Sequence, residues 1–581
     1  MAPVATSTRT SSGSQHASSE YKVWEAPFGT GRTVRVLCIG AGASGLNLAH
    51  QLVQDYGALT LYDKNPEVAG TWYENKYPGV QCDIPSINYQ YTWAPSPKWK
   101  SYYATGPEIF RYFKNVAVEH NLLRFARLRH KLVHAQWDEQ RKVWKVKLER
   151  NGDPNDIIED EGEVLVNATG VLNKWRWPDL PHRERFQGKL LHSASYEEGY
   201  SLEGKRVMVI GSGSSGVQII PAILDRVSSL VTFVRSPTWI TAGFAQRFAG
   251  KDGCNFDYNE EQREVFKSNP RLYLDYRKYI ESELNTRFRF ILNGSQEQKE
   301  ARKFAESEMR RKLQSKPELQ DAIIPTNFAV GCRRPTPGNG YLEALCSDKV
   351  QVVRSDIAEF TERGVRDKDG IEHTADVIIC ATGFDVSWRP RYPLIGREGH
   401  DLAQDWAKGP DNYLSVTVPY FPNYFTFMGP FAPYGHGSVL PMTEHFARHF
   451  SQMVGKMLDE RVQSFEPTAE AVADFREHRQ KFLPRTAWMS PCRSWFKQST
   501  VDGEVMMWPG SRIHFFETMQ KVRWEDYKIE YCSKNRFEYF GNGFATRETD
   551  GRDLSYYLGL RDGKDVQPDY RDEDIDIFLS A

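Results

Sequence analysis

Gly40-Ala41-Gly42-Ala43-Ser44-Gly45 follows the apolar run VRVLCI and precedes a segment with Leu46, Leu48, Ala49, Leu52 and Val53 on one helical face. At such a strand-to-helix turn the first glycine permits the tight bend, the second lets a pyrophosphate approach the backbone, and the third lets helix and strand pack closely. The helix start, with Ser44, adds unpaired N–H groups and the positive end of the helix dipole, so phosphate is the natural guest. Asp63 ends the next strand, ALTLYD, where a carboxylate accepts hydrogen bonds from ribose hydroxyls. Gly211-Ser212-Gly213-Ser214-Ser215-Gly216 repeats the arrangement after RVMVI, but the following strand, LVTFV, runs into Arg235-Ser236. A guanidinium there suits a 2′-phosphate, which a carboxylate would repel. One acidic and one basic fingerprint imply a flavin dinucleotide, FAD, at the first turn and NADPH at the second, with electrons passing from the second to the first.

Residues 69–83 read Ala-Gly-Thr-Trp-Tyr-Glu-Asn-Lys-Tyr-Pro-Gly-Val-Gln-Cys-Asp. This stretch resembles the [AG]GxWxxxxYPGxxxD signature of type I Baeyer–Villiger monooxygenases at every fixed position. The wider resemblance covers roughly residues 32–240 and 325–440 and becomes patchier to about 510. It implies an NADPH-dependent flavoprotein that inserts one oxygen atom from O₂ beside a ketone carbonyl, giving an ester or lactone through a flavin C4a-peroxide. It also implies flavin contacts at Thr71, Trp72 and Tyr89. Within Gly331-Cys332-Arg333-Arg334-Pro335, Arg334 takes the place of the family's active-site arginine over the flavin. Arg333 takes that of a basic residue reaching the NADPH 2′-phosphate. Ser494-Trp495-Phe496 resembles the mobile loop whose tryptophan closes over cofactor and substrate. A second signature, FxGxxxHxxxW, is met only in part: Phe186, Gly188 and His192 are in place, but Tyr196 replaces the tryptophan. That departure moves towards the flavin-containing monooxygenases, which oxidise nitrogen and sulfur. His192 reads as a structural histidine at a hinge between domains.

Attack on an electrophilic ketone carbon calls for an anionic oxygen nucleophile, and an anion over a largely apolar ring needs a cation that keeps its proton. Arginine meets that need, because its pKa is above about 12. Asp83 is then the carboxylate that holds Arg334, since a buried guanidinium without a counter-charge is expensive. A flavin disulfide reductase would need a redox dithiol, and no cysteine pair has CxxC-like spacing.

The elements that must position these groups follow from pattern. The chain has 581 residues, enough for three or four domain-sized units. Its 75 basic and 76 acidic residues leave no whole-chain attraction to nucleic acid or anionic lipid. No apolar run reaches the roughly 18 residues of a membrane span, and no signal-peptide core stands at the N-terminus. Eight scattered cysteines without metal-like spacing suggest isolated thiols, no metal site and a reducing, cytoplasmic setting. The fold class expected is α/β, with two Rossmann-like dinucleotide-binding domains. Residues 1–20 are rich in Ser, Thr and Ala, so a flexible tail is expected over 1–30. The FAD domain is expected over 31–180 and the NADPH domain over 181–375, with a charged helical insertion at about 245–325. Residues 376–581 should return to the FAD domain and supply an aromatic, irregular substrate region ending in an acidic tail. The strands EVLVNATG and DVIICATG each look like the closing strand of one nucleotide unit. Pro221 should kink the second fingerprint helix, which the apolar pattern extends to about Leu230. A ketone and O₂ are the partners expected, and a monomer the default state.

Overall fold

The structure is a computed structural model that describes residues 21–55, 58–241 and 243–569. Runs such as VLCI and VIIC, apolar at consecutive positions, suit strands covered on both faces of a parallel sheet. β1 (Val36–Ile39) is buried at every residue and is followed by α1 (Ala43–Asp55), β2 (Leu59–Tyr62), β3 (Ala126–Arg127) and β4 (Val164–Asn167). β5 (Lys189–His192), β6 (Arg206–Ile210), α2 (Ser214–Ile223), β7 (Ser229–Phe233), β8 (Val350–Val353) and β9 (Val377–Cys380) build a second sheet with its first helix. Between β7 and β8 come α3 (Glu260–Ser268), α4 (Pro270–Thr286) and α5 (Gln296–Lys312), where the charged sequence pattern predicts helix. β10 (Tyr424–Thr426) then rejoins the first sheet.

The two sheets run β3-β2-β1-β4-β10 and β8-β7-β6-β9-β5, with every neighbouring pair parallel. Each is a Rossmann-like sheet in which the chain reverses direction of growth at the strand before the glycine turn, β1 or β6. Ligands of such sheets sit outside the carboxyl ends of the strands at that switch point. Both glycine turns lie there. EVLVNATG and DVIICATG supply β4 and β9, the strands across the switch from each fingerprint strand.

Several expectations change. β9 pairs with both β5 and β6, so the second sheet continues past the boundary expected at 376; its four consecutive buried residues need cover on both sides. α2 contains Pro221 but ends at Ile223, short of Leu230. A proline cannot donate to the carbonyl four residues back, and the helix gives way within one turn. The region beyond 384 is less irregular than its composition suggests. It includes the 21-residue α6 (Val439–Asp459) and later α7 (Arg512–Thr518). The stop expected for α1 at Gly57, the tail over 1–20 and most of the acidic C-terminus lie outside the described residues.

The chain forms two compact units. One takes 21–33, 456–463 and 530–569 of the described residues, and the other holds both sheets. Within the first, Phe28 N–H donates to the Phe544 carbonyl at 2.7 Å and Arg461 lies 4.1 Å from the Trp24 ring centre. Residues 24–30 are therefore anchored rather than part of a loose tail.

Candidate active site

The two glycine turns share one geometry. Gly40 (φ +115°) and Gly211 (φ +122°) each lie so close to the strand across the switch that a Cβ would fall 2.4 Å from the carbonyl oxygen of Ala168 or Ala381. Gly45 and Gly216 are pressed against the carbonyls of Gly40 and Gly211, which fixes the start of each helix. Gly42 faces Gly70 of the signature segment. Gly213, at the start of α2, has open space on its free side, which leaves the helix N–H groups approachable by phosphate. Both cradles therefore fit dinucleotides. Ser44, Ser212 and Ser215 occupy the same turns. Asp63 is buried and accepts the N–H groups of Ala41 and Asn65, both at 2.8 Å. Burial pushes its pKa up, against the pull of those two N–H groups.

The signature segment joins the two sheets. Ala69 N–H donates to Ala41 O at 3.1 Å, which seats Thr71 and Trp72 beside the first cradle. The Trp72 indole N–H donates to the Tyr89 hydroxyl at 3.1 Å. Further along, the Tyr77 hydroxyl donates to Gln218 Oε1 at 2.9 Å, and Gln218 Nε2 donates to Gln81 O at 3.0 Å. Gly79 (φ +82°) lies against α2, where a Cβ would sit 2.6 Å from Gln218 O. The YPG turn thus closes on the second nucleotide helix, and Asp83 emerges between the two cradles.

Arg334 meets it there. Arg334 Nε donates to Asp83 Oδ2 at 2.8 Å and Nη2 donates to Oδ1 at 3.0 Å, a two-point pair. Nη1 donates to Tyr434 O at 3.3 Å, and the guanidinium lies 4.7 Å from the Phe244 ring centre. Their side chains are 22% and 25% exposed, so the pair is largely withdrawn from water without being sealed. Burial lowers the arginine pKa, but the Asp83 charge and hydrogen bonds outweigh it, and the net shift is upward. Arg334 is a permanent cation.

Its neighbour faces elsewhere. The Arg333 guanidinium donates to Pro237 O at 2.9 Å and to the Thr238 hydroxyl, in the loop just after Arg235-Ser236. Arg235 is exposed and has no hydrogen bond or ion pair among the described residues. Trp495 reaches the site through Tyr434, with ring centres 5.4 Å apart, and Trp388 packs 5.7 Å from Tyr434 on another side. His192 is buried, its ring stacked 4.5 Å from Trp175, and burial pulls its pKa down to about 4. It is a neutral packing group.

One expectation fails. Cys332 and Cys492 form a disulfide, Cα–Cα 6.4 Å, and the other six cysteines are free. The partners lie 160 residues apart, a separation to which CxxC-type spacing is blind. The bond ties the loop carrying Arg333 and Arg334 to the segment leading into Trp495. It also removes the argument from isolated thiols for a reducing compartment. Sequence reasoning missed Phe244, Trp388, Tyr434 and His436 as well. The only signal for the last two was the glycine-flanked stretch Tyr434-Gly435-His436-Gly437 in a region read as irregular.

Residues 31–395 match the family model for flavin-binding monooxygenase-like proteins. The chain belongs to that family. A relative of this monooxygenase, the FAD-binding monooxygenase tazF of Aspergillus terreus, is 39% identical over 543 residues, 92% of this chain and 96% of its own. A Baeyer-Villiger monooxygenase of Pseudomonas aeruginosa is 30% identical over 83% of this chain and 89% of its own. The crystal structure of cyclohexanone monooxygenase from Rhodococcus sp. Phi1 bound to NADP+ superposes with TM-score 0.75 at 26% identity, covering 87% of this chain and all of that one. Among the described residues of this monooxygenase, no cluster of three or more His, Cys, Asp or Glu could hold a metal. No helix there is long and apolar enough to cross a membrane.

Proposed function

We propose that this monooxygenase binds FAD and NADPH and inserts one oxygen atom of O₂ next to the carbonyl of a small ketone, giving an ester or lactone. The single observation that carries the reading is the two-point Asp83–Arg334 pair, at 2.8 and 3.0 Å, set between the two nucleotide cradles. When bound, FAD supplies the oxygen chemistry and NADPH the reducing equivalents. Gly40, Gly42, Ser44, Gly45 and Asp63 hold the FAD phosphates and ribose, and Thr71, Trp72 and Tyr89 line its ring. Gly211, Ser212, Gly213, Ser215 and Gly216 cradle NADPH, while Arg235, Ser236 and Arg333 gather about its 2′-phosphate. Arg334 stabilises negative charge on oxygen at the reacting carbonyl, a role typically worth about 3–4 kcal/mol per donor. Asp83 holds the guanidinium in place without taking its proton, and Trp495 covers the site from the side of Tyr434.

The test is direct. Purified protein is given NADPH, O₂ and a mixture of a cyclic ketone, a linear ketone and a thioether, and products are identified by mass. Ester or lactone from at least one ketone is expected. Sulfoxide alone, with both ketones untouched, overturns the reading in favour of heteroatom oxidation, towards which Tyr196 in the second signature leans.

A further inference from the structure

His436 lies two residues beyond Tyr434, whose carbonyl caps Arg334, and three residues before α6. Its side chain is 2% exposed, with Phe288 packed 5.4 Å from the ring centre. Its Nε2 accepts the backbone N–H of Arg512 at 3.2 Å. A backbone amide has no other role than donor, so Nε2 must present a lone pair.

That amide is held firmly in place. The Arg512 side chain is fully buried, donates to Ser438 O at 3.0 Å, and pairs with Glu281 at 2.6 Å and with Asn285. Burial and the nearby charges of Arg512 and Arg334 keep the imidazole neutral, pulling its pKa down to about 3. A neutral ring with a lone pair on Nε2 carries its proton on Nδ1. Nδ1 is buried, yet no group among the described residues accepts from it. A buried donor without an acceptor is destabilising, and such groups concentrate where a ligand completes them. Close to Arg334, the acceptor best suited to a neutral N–H donor is a carbonyl oxygen.

We propose that the Nδ1–H of His436 donates a hydrogen bond to a carbonyl oxygen of a ligand bound beside Arg334, either on the flavin ring or on the ketone. This deepens the proposed function and rests on it for the identity of those ligands. The tautomer makes the idea testable, because two amide side chains each copy one ring nitrogen. Asparagine places an amide near the position of Nδ1, and glutamine near that of Nε2. H436N therefore keeps a donor at the Nδ1 position, whereas H436Q keeps only the acceptor for Arg512.

Two readouts are taken on H436A, H436N and H436Q. One is FAD affinity of the apoprotein with the visible spectrum of the bound flavin; the other is KM and kcat for a ketone the wild type oxidises. Loss of one such hydrogen bond should weaken binding about tenfold. If the flavin accepts the bond, H436A and H436Q raise the FAD Kd about tenfold and shift the visible band, while H436N stays near wild type. If the ketone accepts it, the FAD readout is unchanged, KM rises about tenfold in the same two variants, and NADPH-driven flavin reduction is unaltered. The proposal is overturned if H436Q behaves as wild type and H436N does not, for then the histidine serves only Arg512. It is equally overturned if no variant changes either readout. Should H436A fail to fold, the Asn and Gln pair decides. A wild type that oxidises no ketone sinks the oxygen-insertion reading, and the flavin readout alone then decides the role of His436.

Discussion

Truncating Asp83 to alanine leaves the Arg334 guanidinium with one carbonyl, Tyr434 O at 3.3 Å, and the face of Phe244. With oxygens at 2.8 and 3.0 Å from the donors, the charge centres lie about 4 Å apart, where an effective dielectric near 20 gives about 4 kcal/mol of attraction. The side chains are 22% and 25% exposed, and screening through that opening reduces the coupling to about 2–3 kcal/mol. Stability towards urea should therefore be measured for D83A, R334A and the double variant, all loaded with FAD. Each single change should destabilise, and the double change should fall short of their sum by about 2–3 kcal/mol. A second assay separates holding from chemistry. R334A should still show anaerobic flavin bleaching by NADPH but form no ester, and D83A should lose about 10²-fold in ester formation through a misplaced cation. Additivity within about 0.5 kcal/mol would refute the pairing, and ester formation by R334A would refute the role of the cation.

Other outcomes follow from the same structure. Arg235→Ala, which removes an exposed guanidinium from the end of the β7 turn, should raise KM for NADPH at least tenfold while leaving KM for NADH nearly unchanged; equal effects would contradict its assignment to the 2′-phosphate. Alkylation without reductant should leave Cys332 and Cys492 unlabelled. Their joint replacement by serine should destabilise by up to about 5 kcal/mol, the chain-entropy figure for a 160-residue loop; eight alkylated thiols in unreduced protein would exclude the bond. Three buried histidines set an acid limit: His192 and His449 have their pKa pulled down to about 4 and His436 to about 3, each chiefly by burial. The unfolded chain, with histidines near about 6.5, binds more protons in between. Their contribution to stability is thus complete above about pH 6.5 and lost as the pH falls, at up to about 1.4 kcal/mol per pH unit for each. Urea midpoints that did not move between pH 7 and pH 5 would count against this.

Order along the chain was enough to expose both phosphate cradles, the acid and the arginine after them, the helical insertion and the signature segment. In each of these, glycine, apolar period and charge act within one strand-turn-helix unit, so neighbours in sequence are neighbours in space. Local pattern also went astray at local ends. The apolar run after Pro221 looks like continuing helix, and the boundary expected at 376 cuts β9 off from the second sheet, whose β5 and β6 it joins, because pattern does not say where a domain ends. What pairs across the fold was out of reach. Arg334 and Asp83 had to be matched by family likeness, since 251 residues separate them, and nothing in the chain pointed to Cys332 meeting Cys492 across 160. The tautomer of His436 depends on an amide 76 positions away. Such contacts are chosen when the two sheets, the insertion and the aromatic C-terminal region pack together, burying charge and polar groups that must then find partners wherever the chain happens to bring them. Spacing governs the hydrogen bonds a segment makes with itself; only the packed core determines which distant carboxylate, thiol or amide completes a site.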